Sequence, residues 1–532
     1  MKIKSTPASL FVLLALILFV QISYGQAAST TSRSATISDP MIRRIWVEGM
    51  DKSQLYPLAQ ELLDSIGPRL TGSPQQTQAN EWAMARYRSW GIPVRTEKYG
   101  SWNGWRRGTF HMDLVAPRVR SLEGMLLTWS PGTNGPVEGQ VVVFPNVKEA
   151  TEFEAWLPKV RGKFVLVSFP EPTCRPDDNW KEFATSESFA RMQTERTAAR
   201  DAWYNGIRKS GLRGRDLLHR LEDAGALGIL TSLSSQQGWG VSKPGSANAE
   251  QVPELGLACE DYGLVFRLAE KNQGPVLRLN AEAQSLGEVP VSNVIAELPG
   301  KELPNEYVVL SAHFDSWDFA SGATDNGSST VAMMEAMRIL KAVYPNPKRT
   351  ILVGHWSGEE QGLNGSRAFV ADHPEVIKGM QALFNHDNGT GRIVKISMEG
   401  LAGAGAFFRR WLSQMPGDLN SQVNLLDPGV PDRGTDHASF ICQGVPAFNL
   451  SSVGWDYETY TWHTNRDTFD KLVMDDLKGN ALLFAMLAYM ASEDPQRIPR
   501  EPRVTAPNPQ TGQPAPWPTC TQPARSSPRI KP

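Results

Sequence analysis

The chain has 532 residues, too many for one compact core, and at about 100–200 residues per domain it divides into two or three. Its 54 Lys and Arg against 56 Asp and Glu leave a formal net charge of −2. Charge therefore gives no reason to expect a nucleic-acid partner or an anionic membrane surface.

At the N-terminus Lys2 and Lys4 precede the apolar run Leu10 to Val20 and then Ser23-Tyr24-Gly25, which is signal-peptide grammar over residues 1–25. The run falls short of the roughly 18 residues a spanning helix needs, so no stable membrane anchor is expected and the chain reads as exported, periplasmic or secreted. An exported chain can oxidise Cys174, Cys259, Cys442 and Cys520, for which three pairings exist; Cys174 with Cys259 is the first to test. No CxxC is present, so a cysteine-based structural zinc site has no support.

Residues 40–116 open an α/β domain, with two helices between Tyr56 and Trp90. Ser73 can cap the second helix, Pro74 suits its first position, Gln76 completes a capping box, and Gly91 stands where a left-handed residue ends it. From 117 to 288 the texture changes to short β-rich runs (GQVVVF, GKFVLVSF, LGILTS, VLRLNA) around a long polar helical stretch, the pattern of an inserted β-rich domain. Residues 289–495 return to strands alternating with helices, which implies a mostly parallel mixed sheet with helices on both faces. The tail, 496–532, is Pro-rich and cannot bury enough surface to fold alone, so it is expected to be extended and disordered. No internal repeat is found.

In the third region three apolar runs each lead to metal-type ligands. YVVLSA reaches His313 and Asp315; TILVG reaches Glu359 and Glu360; MQALFN leads through His386 to Asp387. Ligands of open α/β sheets gather at the carboxyl ends of strands. His313 and Asp315, two apart, point to one side of an extended segment. Either they are a metal-bound imidazole with a carboxylate behind it, or an ordinary strand-end pair. GATDNGSS presents Asp325 on a Gly-bracketed turn, as a ligand or as an N-cap. His463, in YTWHTNRDTFD, is a further ligand or a structural histidine. Together, His313, Asp325, Glu359, Glu360, Asp387 and His463 suit two zinc ions better than one, because catalytic zinc takes about three protein ligands. Two ions sharing Asp325 would lie about 3.5–4 Å apart and could hold a hydroxide between them.

HFDSWDFASGATDNGSS, HWSGEEQGLNGSRAFV, NHDNGTGR, GTDHASF and HTNRDTFDKL, in this order, resemble the successive motifs of the co-catalytic zinc exopeptidases. LLDSIGPRLTGSPQQTQANEWA resembles that family's N-terminal helical motif, and the insert resembles a protease-associated domain, so the resemblance spans about residues 40 to 495. It implies that 40–116 and 289–495 form one catalytic domain. It further implies that His313 and Asp387 hold one Zn2+, that Glu360 and His463 hold a second, that Asp325 bridges them, and that Glu359 is the general base. The family's bridging Asp precedes a cis peptide bond, here Asp325 to Asn326; close relatives often carry a second Asp where this chain has Asn326, a position not expected to bind metal.

The implied reaction is hydrolysis of dipeptides or short peptides with a free N-terminus, with the peptide as partner and a homodimer as the one protein association considered. For the oxyanion and the substrate's charged end, His437, Tyr457 and Tyr460 are nominated, with packing as the alternative. The Arg-rich stretch from Arg196 to Arg220 either lies over the site to meet a substrate carboxylate or is a solvated helix face. Two other functions are carried on this fold. A non-catalytic binding protein would have lost ligands, and all six are present. A glutaminyl cyclase uses one zinc and usually lacks the insert.

Overall fold

The computed structural model describes residues 37–232, 239–242, 245–508, 510 and 512–528; the expected signal peptide lies outside them. In chain order the strands are β1 (Val94–Ala116), β2 (Arg120–Ser121), β3 (Gly124–Leu126), β4 (Val137–Val143), β5 (Phe164–Leu166), β6 (Gly228–Thr231), β7 (Glu254–Leu257), β8 (Val276–Leu298), β9 (Leu303–His313), β10 (Arg349–Trp356), β11 (Met380–His386), β12 (Ile393–Ser397), β13 (Asn424–Leu426) and β14 (Ala447–Ser452).

The main sheet runs β13-β12-β14-β11-β9-β10-β8, with β1 on the far edge of β8. Its centre, β10-β9-β11-β14, is parallel, whereas β8 joins β10 and β12 joins β14 antiparallel. Helices cover both faces. Trp356 packs its ring on Phe369 and Phe440 of the helices Asn364–Asp372 and His437–Ile441, while its neighbour His355 turns the other way to meet Tyr87 of helix Pro74–Ser89. Every residue of β10 and β11 is buried. This two-sided cover explains why these strands read as unbroken apolar runs and not as alternating ones.

The insert builds its own layer, β4-β5-β6-β7 in parallel with β3 antiparallel on β7, and has its own core around Leu114, Phe164, Leu166, Leu255 and Val265. The expected start of the insert coincides with the end of β1. Its expected end, between 288 and 289, falls inside β8. The reason is a ribbon: β1 and β8 pair from Val94 with Ala296 to Ala116 with Val276 and so belong to both lobes. The other edge of β8 takes β10 at one end and β4 at the other.

Local chemistry accounts for helix Pro74–Ser89. Ser73 Oγ accepts from the Gln76 amide at 3.1 Å, Pro74 occupies the first position, and Gly91 takes φ +68° after the last turn. The return half of the capping box does not form, because Gln76 donates instead to Asn80 Oδ1 at 3.1 Å.

The tail corrects the expectation of disorder. Its described residues are extended, but they are laid on the body: Trp517 donates its indole N–H to the Ile441 carbonyl at 2.9 Å, Arg525 pairs with Asp372 at 2.7 Å, and Cys520 is bonded to Cys442. The Ala524 amide also donates to Asn364 Oδ1 at 2.9 Å. Low apolar content prevents independent folding, but a ready-made surface and a crosslink remove the need for it. The remaining cysteines form Cys174–Cys259, the pair singled out for testing. Cys520→Ser is expected to lower stability by about 2–4 kcal/mol, read as a lower denaturation midpoint under non-reducing conditions. No described helix is long and apolar enough to cross a membrane.

Candidate metal centre

Three adjacent strands deliver candidate ligands at their carboxyl ends. His313 is the last residue of β9, Asp387 directly follows β11, and Glu359 and Glu360 stand just beyond β10. Asp325 comes from the turn Ala323–Gly327 ahead of helix Ser328–Val343, and its bond to Asn326 is cis. His463 arrives from the loop after Tyr457–Thr461 with φ +54°, a left-handed conformation uncommon outside glycine. His313 Nε2 lies 3.0 Å from Asp387 Oδ1 and 3.2 Å from Asp325 Oδ1. His463 Nε2 lies 3.0 Å from Glu360 Oε2 and 3.1 Å from Asp325 Oδ2. Two three-ligand clusters result, His313-Asp325-Asp387 and Asp325-Glu360-His463, and they share Asp325 through different oxygens.

Residues 293–488 match the profile of Peptidase family M28. That segment, which carries all six candidate site residues, is similar to the M28 peptidases. The chain is 24% identical over 457 residues to carboxypeptidase Q of Rattus norvegicus, covering 85% of this chain and 88% of that one, and 24% identical over 467 residues to carboxypeptidase Q of Homo sapiens, with the same coverage. The fold is that of a Peptidase M28 precursor from Shewanella amazonensis SB2B (TM-score 0.61, 22% identity, 89% of this chain and 100% of that chain). It is also that of BSAP, a zinc aminopeptidase from Bacillus subtilis (TM-score 0.54, 19% identity, 83% and 94%). These similarities support a metallopeptidase.

Main-chain anchors hold the candidate ligands in place. Asp467 grips the turn under Asp325, accepting from the Thr324 amide at 2.7 Å and the Asp325 amide at 3.0 Å. Gly322 makes the turn possible, since it has φ +59° and a Cβ there would sit 2.4 Å from Ser316 Cβ. The buried Arg69 donates to the carbonyls of Phe314, Ser321 and Gly322 and so fixes the loop between His313 and the turn. Asp315 does not hold His313 through its carboxylate. Its carbonyl faces Nδ1 at 2.9 Å, while its carboxylate accepts from the amides of Glu359 and Glu360 at 3.1 and 3.3 Å. A carbonyl can only accept, so Nδ1 carries a proton, which makes Nε2 the nitrogen that would offer a lone pair to an ion.

The electrostatics call for cations. Burial pushes the Glu360 carboxyl up to about 7, and the Asp325 charge adds to this. Burial likewise drives Glu359 well above the usual range, with Asp387 and Glu360 as the repelling charges. Burial opposes charge on the histidines, yet the carboxylates overcome it, raising His313 strongly and His463 to about 10. Such crowding of anions is relieved by metal, and imidazole nitrogen with carboxylate oxygen is a donor set that suits zinc. Glu360 Oε1, buried with no hydrogen-bond partner among the described residues, fits the same reading.

A cavity of about 370 Å³ opens over the centre, lined by Asp325, Glu359, Glu360, Asp387 and His463 together with Arg367, Arg433 and Trp462. The residues nominated for substrate do not line it. His437 is fully buried with Nε2 3.6 Å from Glu399, Tyr457 is buried against Gly389, and Tyr460 lies under Lys471. The Arg-rich stretch is occupied inside the insert, where Arg196 pairs with Asp177, Arg200 with Glu171 and Arg220 with Glu154. The cleft arginines, Arg367 and Arg433, were passed over in sequence because neither follows an apolar strand. The one local signal was Pro431-Asp432-Arg433-Gly434, a turn signature that presents whatever sits at its tip.

Proposed function

We propose that this protein is an exported di-zinc exopeptidase that hydrolyses dipeptides or short peptides with a free N-terminus. The observation that carries the reading is Asp325, one carboxylate serving two three-ligand clusters beside a carboxylate that belongs to neither. His313, Asp387 and Asp325 would hold one ion, and Asp325, Glu360 and His463 the other. When bound, the ions lower the pKa of water and polarise a peptide carbonyl. Glu359 takes the proton of the attacking water and gives it to the departing amine. Asp315 keeps Glu359 and Glu360 diverging by holding both their amides.

The names of the relatives, a carboxypeptidase and an aminopeptidase, both belong to exopeptidases and support cleavage near a chain end. Two disulfides support an oxidising compartment, in keeping with the N-terminal signal grammar. The insert is read as a protease-associated-type domain.

The test combines metal analysis with hydrolysis of dipeptides, longer peptides, and peptides blocked at either end. Two zinc ions per chain and cleavage that requires a free amine are expected. Fewer than two ions at full occupancy, with no free peptide cleaved, would overturn the proposal.

A further inference from the structure

The cavity over the centre is lined by two arginines, Arg367 and Arg433, together with four acidic residues. The two arginines differ in what they already do. Arg367 Nη1 donates to the Gly362 carbonyl at 2.7 Å, so it closes the loop that follows Glu359 and Glu360. Arg433 is exposed, and its guanidinium makes no ion pair with any described residue.

The loop bearing Arg433 is nonetheless built. Glu399, fully buried, accepts from the Asp432 amide at 2.6 Å. Asp432 then folds its own carboxylate back to accept from the amides of Arg433 and Gly434, at 2.6 and 3.2 Å. The nearest acid in sequence is thereby turned onto the backbone, and the Arg433 side chain is left to the cleft. With the carboxylates of the centre balanced by cations, the arginines leave the cavity positive.

We infer that Arg433 is a specificity-determining residue, its guanidinium receiving the C-terminal carboxylate of a short peptide whose scissile bond lies over the metal ligands. This rests on the peptidase reading above. A guanidinium offers a planar fork that matches a carboxylate with two hydrogen bonds, which a neutral amide cannot accept equally. The cavity, about 370 Å³, is at the small end of ligand sites, so a carboxylate two or three residues from the amine falls within it.

The experiment compares kcat/KM of the zinc-loaded full-length protein for alanyl-phenylalanine and for its C-terminal amide. The free acid is expected to be preferred, chiefly through KM, and Arg433→Gln is expected to cut the acid-to-amide ratio by about 10- to 100-fold. Arg433→Lys, which keeps charge but loses the fork, should recover part of that ratio, and this partial rescue separates recognition from a folding defect. Equal ratios in the parent and in Arg433→Gln, or a parent indifferent to the carboxylate, overturn the inference and leave the peptidase reading standing. Failure of the parent to cleave either compound overturns both.

Discussion

Asp325→Ala is expected to remove both ions from the folded chain and to take peptide hydrolysis below detection. Each cluster counts three ligands only because Asp325 is in both, one oxygen toward His313 and the other toward His463. Without it the clusters fall to His313 with Asp387 and to Glu360 with His463, two donors each, where catalytic zinc takes about three. The fold should survive, because the turn is held through main-chain amides by Asp467 and through main-chain carbonyls by Arg69. Metal content after dialysis, measured beside circular dichroism, tests this; Asp387→Ala should release the His313 ion first. A variant lacking Asp325 that keeps one ion at full occupancy would show that the carboxylate does not bridge.

The parts of this site that could be read in sequence were those tied to strand periodicity. The strands β9, β10 and β11 are apolar because helices cover both faces, and each apolar run ends where its side chains leave the core, so His313, Glu360 and Asp387 announce themselves. Asp325 was legible from its flanking glycines, one of which has the positive φ that the turn demands. Other features depended on distance in space. Nothing near Asp467 or Arg69 in sequence says that their side chains reach the backbone around Asp325 from about 140 and 250 residues away. Asp315 was noticed for its spacing from His313, yet its carboxylate serves the β10 loop instead, because strand pairing sets Trp356 beside His313 and brings the next residues over it. Composition gave the tail too little apolar surface for a core of its own. It could not say that Cys442 and the surface around Ile441 and Asp372 were waiting for it.

Glu359→Gln is expected to keep both ions and to lower kcat by about 10³-fold, within the range usual for loss of a general acid–base. Glu359 sits in the cavity but in neither ligand cluster, and its amide is fixed by Asp315, so the substitution removes the proton acceptor without disturbing the ligands. Burial and the charges of Asp387 and Glu360 give its carboxyl a high affinity for a proton. Cations held by the two clusters would offset that repulsion and bring the group back toward ionisation at working pH. It must be ionised to accept a proton from water, so kcat/KM of the parent falls as pH drops through its pKa, and the residual activity of Glu359→Gln should lack that limb. Glu360→Gln should act differently, since Glu360 Oε2 lies in the His463 cluster: metal content falls, and added zinc recovers activity in part. These adjacent glutamates diverge just beyond the end of β10, one toward a ligand cluster and one toward the open cleft. Retained metal with lost turnover at 360, and lost metal at 359, would therefore exchange their roles while leaving the rest of the centre intact.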